Sequence, residues 1–233
     1  AVARRSFATF ALVLLDVFWF TLNTRRRIRR YVAFDRSLAD LLAKGPVVFV
    51  TAHLGNWEIL GQSAALQGFP LASVAKPLRN PGIDRLLLYA RRRTGQIILP
   101  RDGALRAMLK VLREGKMVAM LLDQDTRVQE GGVFVDFFGL PVPISQAAAS
   151  LSARLNIPVV LAFCRCDARG HYRAYSRAPL QPGPGESAVA FTQRVAASVE
   201  EEIRQQPGEW LWMYKRWKRK APGTPPERYP FYA

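Results

Sequence analysis

From Leu38 onward, short apolar runs alternate with helical patterns that carry their own start and stop signals, and this alternation restricts the chain to one class of fold. Val47 to Thr51 reads V-V-F-V-T, continuously apolar and rich in β-branched residues, as a strand covered on both faces does. Asn80-Pro81 opens a helix that Gly95 closes, and Asp102 opens another that Gly115 closes. A side-chain acceptor caps each first turn, and glycine readily takes the left-handed conformation that ends each last one. Gln96 to Leu99 and Met117 to Leu122 read as strands. Ser145 starts an alanine-rich helix ending near Asn156, Pro158 to Cys166 is a long buried strand, Tyr172 to Ser176 a shorter one, and Ser187 to Gln205 a final helix. The order predicts an α/β fold, a single domain with a largely parallel central sheet flanked by helices.

The charge of this body constrains its partners. Lys and Arg number 34 against 18 Asp and Glu, a formal net charge of +16, while hydrophobic residues make up 49% of the 233. That apolar fraction excludes a disordered basic tail. A basic folded body seeks a polyanion, and phosphate-bearing lipid and nucleic acid both qualify. Cys164 and Cys166 share one face of a strand, where a disulfide between them would be strained, so they read as buried thiols in a reducing compartment. Ser6 to Asn23 is apolar but interrupted by Asp16 and flanked by Arg4, Arg5 and the run Arg25 to Arg30. It predicts a buried or interface-lying amphipathic helix rather than a membrane span, with the arginines among anionic headgroups. Three stretches are expected: a membrane-proximal helical segment over 1–36, a catalytic domain over 37–220, and an irregular tail over 221–233. Because the chain starts at Ala1 without a Met, a longer parent is expected.

Two histidines, His53 and His171, are available as neutral-pH bases. His53 directly follows the strand Val47 to Thr51, and in open α/β sheets active residues gather past the carboxyl ends of strands. His171 reads as structural. Glu58 lies five residues beyond His53, roughly 140° around a continuous helix, so the two side chains meet only if His53 is in a loop and Glu58 in the first turns of a helix. Gly55 and Asn56 supply that turn and cap. Glu58 would then hold one imidazole nitrogen while the other takes a proton. The bland alternative is a backbone-bonded His with an ordinary first-turn acid. Asp123 and Asp125, at another strand end, could suit a metal, but no His or carboxylate cluster accompanies them. The segment Trp210 to Trp217 mixes aromatics with Lys215, Arg216, Lys218, Arg219 and Lys220, which suits a membrane interface or single-stranded nucleic acid.

The segment T-A-H-L-G-N-W-E-I-L (Thr51 to Leu60) resembles the H-x4-E signature of the bacterial lipid A biosynthesis acyltransferases, the lauroyl and myristoyl transferase family within the glycerolipid-acyltransferase-like superfamily. Four further blocks match in order: Arg91, Arg93 and Gly95 followed by Pro100 to Arg106; Leu121 to Asp125; Gly131 to Gly139; and Glu209 to Lys218. The resemblance runs from about Arg5 to Lys218. It implies that family members carry a longer segment, including a membrane anchor, before this histidine than the 52 residues present here.

The resemblance implies transfer of a fatty acyl chain from acyl carrier protein or acyl-CoA to a hydroxyl of a lipid A precursor. Another phosphoglycolipid, such as a phosphatidylinositol mannoside, is the alternative acceptor. His53 would be the base, Glu58 its orienting acid, and Arg93 the oxyanion or phosphate ligand, with Arg91 and Arg101 as neighbours. Asp125 and Asp123 would shape the floor of the site by pairing with Arg93. Asn56 is placed among the substrate-binding residues, and Phe134 and Phe137, in an alternating apolar stretch, would suit an acyl chain. No bound cofactor or metal is expected. The partners would be a membrane phosphoglycolipid, acyl carrier protein and the anionic cytoplasmic face of the bacterial inner membrane, with nucleic acid disfavoured. A non-catalytic basic membrane- or nucleic-acid-binding protein and a metal-dependent phosphoesterase are the competing classes.

Overall fold

The computed structural model describes residues 1–75, 77–78 and 80–231. The chain opens with α1 (Val2–Thr21), α2 (Thr24–Tyr31), β1 (Val32–Phe34) and α3 (Arg36–Ala43). Strands and helices then alternate: β2 (Val48–Thr51), α4 (Trp57–Leu66), β3 (Leu71–Val74), α5 (Pro81–Arg93), β4 (Ile97–Leu99), α6 (Ala104–Arg113) and β5 (Met117–Leu121). A hairpin of β6 (Gly132–Phe137) and β7 (Leu140–Ser145) follows, then α7 (Ala147–Leu155), β8 (Val159–Cys166), β9 (Tyr172–Ser176) and α8 (Ala188–Gln205).

The central sheet runs in the order β1-β9-β8-β2-β5-β3-β4, and every neighbouring pair is parallel except β8 with β9. All four residues of β2 are buried. Val48 and Val50 face one apolar layer and Phe49 the other, so both faces of the strand are covered and no polar alternation survives in its sequence. Insertion of β5 between β2 and β3 positions the site. Thr51 pairs with Leu121 in the register, so the residues just past the two strands emerge side by side.

Most expected elements form, with local shifts. Ser145 is the last residue of β7 and not a helix start; α7 begins at Ala147. Asp102 does not cap α6, whose N-cap is Gly103 at φ 71°. The expected helical boundaries at Asn80-Pro81 and Ser187 do form, with Asn80 accepting from Gly82 and Ile83 and Ser187 accepting from Ala190.

Residues 1–36 are not set apart from the remainder. β1 pairs with β9, Val32 opposite Tyr172, and the Ser6 hydroxyl donates to the Trp210 carbonyl. In the tail, Tyr229 is buried and its hydroxyl donates to the Pro141 carbonyl. Asp16, the acid that interrupts the apolar run, is the reason α1 seats as it does. Its carboxyl is buried and accepts from Asn56 Nδ2 at 2.8 Å and from the Tyr172 hydroxyl, while Asn56 Oδ1 accepts from the Ile59 N–H and caps α4. Burial pushes the Asp16 carboxyl above its ordinary range despite those two hydrogen bonds. The opposite face of α1 is apolar and exposed, with Phe7, Leu14, Leu15 and Phe18 in one helical stripe and the exposed C-cap Leu22 just past its end. No helix among the described residues is long and apolar enough to cross a membrane.

Asp16→Ala would strand two buried donors, at about 1–3 kcal/mol for each unsatisfied group. Urea denaturation should show a loss of about 2–4 kcal/mol for Asp16→Ala and a clearly smaller one for Asp16→Asn, which keeps an acceptor. Equal losses would show that the hydrogen bonds do not anchor α1.

Candidate active site

The loop after β2 turns sharply at Gly55, which has φ 62° and lies so close to β8 that a Cβ there would stand 2.3 Å from the Cys164 carbonyl oxygen. Only glycine fits this close approach. The loop is strapped from the other side by the C-terminal segment: Gly55 N–H donates to the Glu209 carbonyl and Leu211 N–H to the His53 carbonyl. Glu209 is itself held by Arg165 through two 2.9 Å hydrogen bonds and by Arg5 at 3.1 Å. His53 is thereby fixed at the sheet edge.

Its partner is Asp123, two residues past β5. The His53 backbone N–H and ring Nδ1 each lie 2.9 Å from an oxygen of the carboxylate, and Trp210 Nε1 donates to it at 2.8 Å. Burial by itself raises the pKa of this acid, yet the charge of His53 and the converging hydrogen bonds outweigh it and hold the carboxyl below its ordinary value. An ionised carboxylate only accepts, so Nδ1 carries a proton directed at Asp123 and Nε2 is the ring nitrogen left facing away from it. The Gln124 amide nitrogen stands 3.3 Å from Nε2, and the Trp57 ring meets the imidazole edge-on at 4.7 Å.

This arrangement corrects the expected His53–Glu58 pair. Glu58, in the first turn of α4, accepts from Arg91 Nε at 3.0 Å and Nη2 at 2.6 Å and from Trp57 Nε1 at 3.1 Å, and makes no hydrogen bond to His53. Burial would lower the Arg91 pKa, but Glu58 more than restores it. Glu58 and Arg91 instead form part of the polar wall of a narrow, mostly apolar pocket that opens to solvent. Alternate residues of three strands line it from the sheet, among them Phe49, Leu71 and Ala119, and Trp57, Leu60 and Ala64 line it from α4. Trp57 touches both this pocket and His53.

Other expectations separate from the site. Arg93 is exposed and donates to the Tyr89 hydroxyl at 2.7 Å, pairing with neither Asp123 nor Asp125. Arg101 pairs with Glu130 at 2.8 Å on the surface. Asn56 works as a helix cap and does not reach into the apolar pocket. Phe137 is fully buried beside Trp210 and Phe138, and neither it nor Phe134 lines that pocket. Asp125 is engaged by the Tyr214 hydroxyl, Lys218 and Arg219. Burial raises its pKa, and the hydrogen bonds from Lys218 and Arg219 overcome that and bring it below the ordinary range. With Asp123 on His53 and Asp125 on Lys218 and Arg219, the D-Q-D acids have separate partners.

Two of the C-terminal aromatics, Trp210 and Trp217, turn inward, while Trp212 is exposed. Trp210 and Trp217 are buried, and Arg216 is fully buried, 5.4 Å over the Phe137 ring, with none of its guanidinium nitrogens hydrogen-bonded among the described residues. Burial pushes the Arg216 pKa down to about 10 against the pull of Asp123 and Asp125, so it stays charged at neutral pH and favours the ionised form of both acids. Gln124 and Trp210 were absent from the expected site. The strand end at Leu121 is a signal for Gln124; no local pattern places Trp210 on Asp123.

Comparison with known proteins adds the family. The model of the family described as bacterial lipid A biosynthesis acyltransferase matches residues 1–219. A lipid A biosynthesis acyltransferase of Haemophilus influenzae is 24% identical over 95% of this chain and 70% of its own length. A phosphatidylinositol mannoside acyltransferase of Mycobacterium tuberculosis is 25% identical over 84% of this chain and 64% of its own length. This chain thus spans roughly two thirds of these relatives. Among solved structures, the 1-acyl-sn-glycerophosphate acyltransferase of Thermotoga maritima aligns over 84% of this chain and 80% of that one, with 13% identity and a TM-score of 0.45.

The lowered pKa of Asp123 has a stability consequence. Its ionised form favours the folded state fully above the ordinary value of 3.8, and that contribution is lost as pH falls through the lower folded value. The unfolding free energy of the wild type should decline as pH drops below about 4, and Asp123→Asn should decline less steeply. Equal slopes in acid titration of the two proteins would assign the decline to other carboxylates.

Proposed function

The chain belongs to the bacterial lipid A biosynthesis acyltransferase family, and on that premise we propose that it moves a fatty acyl chain from a thioester donor to a hydroxyl of a phosphoglycolipid. The donor is acyl carrier protein or acyl-CoA, and the leading acceptor is a lipid A precursor. The observation that carries this reading is a histidine with its Nδ1–H fixed on a buried carboxylate, with Trp57 linking it to an apolar pocket between the sheet and α4.

The geometry supports direct transfer, with no serine or cysteine among the hydrogen-bond partners of the His53 side chain within the described residues. His53 Nε2 takes the proton of the acceptor hydroxyl as its oxygen attacks the thioester carbonyl carbon. The imidazolium that forms is stabilised by Asp123. The carbonyl electron pair moves onto oxygen, and the Gln124 amide beside Nε2 is the side-chain donor assigned to that oxyanion. Collapse of the tetrahedral intermediate reforms the carbonyl and breaks the carbon–sulfur bond, and the leaving thiolate takes the proton back from Nε2. The acyl tail lies in the pocket between the sheet and α4, entering past Trp57, while Glu58 holds Arg91 in its wall.

The setting proposed for this chemistry is the anionic cytoplasmic surface of the bacterial inner membrane. The outward apolar stripe of α1 is the surface expected to rest among lipids, with the exposed arginines of α2 at headgroup level. A second acceptor, a phosphatidylinositol mannoside, is favoured by the mycobacterial relative, which is as similar to this chain as the Haemophilus one.

Purified protein should transfer a labelled acyl group from acyl carrier protein or coenzyme A to one member of a panel containing lipid A precursors and phosphatidylinositol mannosides. His53→Ala should lower the rate by about 10³-fold or more with its circular dichroism unchanged. A folded His53→Ala protein with wild-type turnover would refute the mechanism.

A further inference from the structure

The fold brings Arg93, at the end of α5, against Arg25 and Arg26, in the first turn of α2, although 67 residues separate Arg26 from Arg93. With Asn23 and Thr24 the three arginines line a single surface pocket that contains no carboxylate. None of the three makes an ion pair among the described residues; the guanidinium of Arg93 has only the neutral Tyr89 hydroxyl and ring. Bringing three like charges together by tertiary folding is unfavourable unless an anion offsets it. The pocket also receives the start of α2, where Asn23 is in the left-handed conformation (φ 58°) and makes no side-chain cap, so the first backbone N–H groups of the helix lack an internal acceptor. Guanidinium forks match the oxygens of a phosphate.

The position of the pocket selects the source of that phosphate. The exposed apolar stripe of α1 is followed by its C-cap Leu22, which is 63% exposed, and the pocket begins at the next residue. Hydrocarbon-compatible surface followed by a carboxylate-free arginine pocket reproduces the order of a phospholipid, acyl region and then phosphate. Two residues earlier on α5, and so on a different face of the helix, Arg91 is held by Glu58 in the wall of the acyl pocket, so the last turn of α5 joins the two sites.

We propose that Asn23, Thr24, Arg25, Arg26 and Arg93 form a phosphate-binding site that takes the headgroup phosphate of a membrane lipid and sets the depth and orientation of the protein on the bilayer. The choice of a lipid ligand rests on the surface-bound reading above, but vesicle binding needs no acyl donor, so the two fail separately.

The test is sedimentation with phosphatidylcholine vesicles that contain or lack phosphatidic acid. The wild type and His53→Ala should both bind the phosphatidic acid vesicles. Arg25→Gln/Arg26→Gln/Arg93→Gln should bind about 100-fold more weakly, about fivefold for each basic residue at an anionic surface. A charge-matched control, Arg113→Gln/Arg154→Gln/Arg169→Gln, changes exposed arginines outside the pocket and should stay within about threefold of the wild type. Inorganic phosphate at constant ionic strength should release the wild type where chloride does not. Should the triple variant fail to fold, Arg93→Gln alone should bind about fivefold more weakly and lose sensitivity to phosphate. Equal losses in pocket and control variants, or no release by phosphate, would reduce the site to diffuse attraction and overturn the proposal. Thermal stabilisation by inorganic phosphate without vesicle binding would assign the pocket to free phosphate, and pocket-dependent binding to an oligonucleotide but not to vesicles would assign it to nucleic acid; either contradicts the lipid assignment.

Discussion

A buried carboxylate must be satisfied from several directions or it protonates, and Asp123 is satisfied from three: the backbone N–H of His53, its imidazole and the indole of Trp210. The donors come from two distant parts of the chain, His53 and Trp210, so the carboxylate draws together the ends of β2 and β5 and the C-terminal segment. The order β2-β5 in the sheet makes the first meeting possible, because Thr51 and Leu121 are level. The strap of Glu209 to Leu211 makes the second possible by pairing with the His53 loop. Arg216, buried near the two acids and without a hydrogen-bond partner among the described residues, adds a fixed positive charge that favours the ionised carboxylate.

What could be read locally formed largely as expected. β2 was recognisable from the run V-V-F-V-T because a doubly covered strand needs no polar face, and α5 and α8 from their capping residues. His53 as the base candidate followed from its position after β2. The choice of its acid did not, because sequence spacing makes Glu58 the near neighbour whereas sheet order makes Asp123 the near neighbour. A contact across 70 residues depends on where β5 inserts, and no periodicity states that. The same reason explains Trp210. Aromatic and cationic residues together looked like an interface, yet Trp210, Arg216 and Trp217 face inward onto the active-site acids and the core.

The acid inside the apolar run of α1 shows how one residue can mislead and inform. Asp16 argued against a membrane span, and in the fold it holds Asn56, which caps α4 behind the catalytic loop. One face of α1 is thus committed to the catalytic body while the other remains apolar and exposed. An enzyme whose acceptor is a membrane lipid needs such a division, since the hydroxyl must reach His53 without the lipid tails leaving an apolar surface. The charge of +16 acquires a distribution as well: some arginines hold buried acids, as Arg91 and Arg165 do, and others line the uncompensated surface pocket.

The central claim is that Asp123, and not Glu58, is the acid behind the catalytic base. Single-turnover acyl transfer with a saturating thioester donor, compared for Asp123→Asn and Glu58→Gln, tests it most directly. An asparagine in place of Asp123 removes the negative charge and can present the wrong partner to Nδ1, so the rate should fall by about 10³–10⁴-fold. Glu58→Gln should cost far less in the chemical step, about tenfold, because it loosens Arg91 in the pocket wall without touching His53. A collapse of the chemical step in Glu58→Gln with near-wild-type turnover in folded Asp123→Asn would contradict the account.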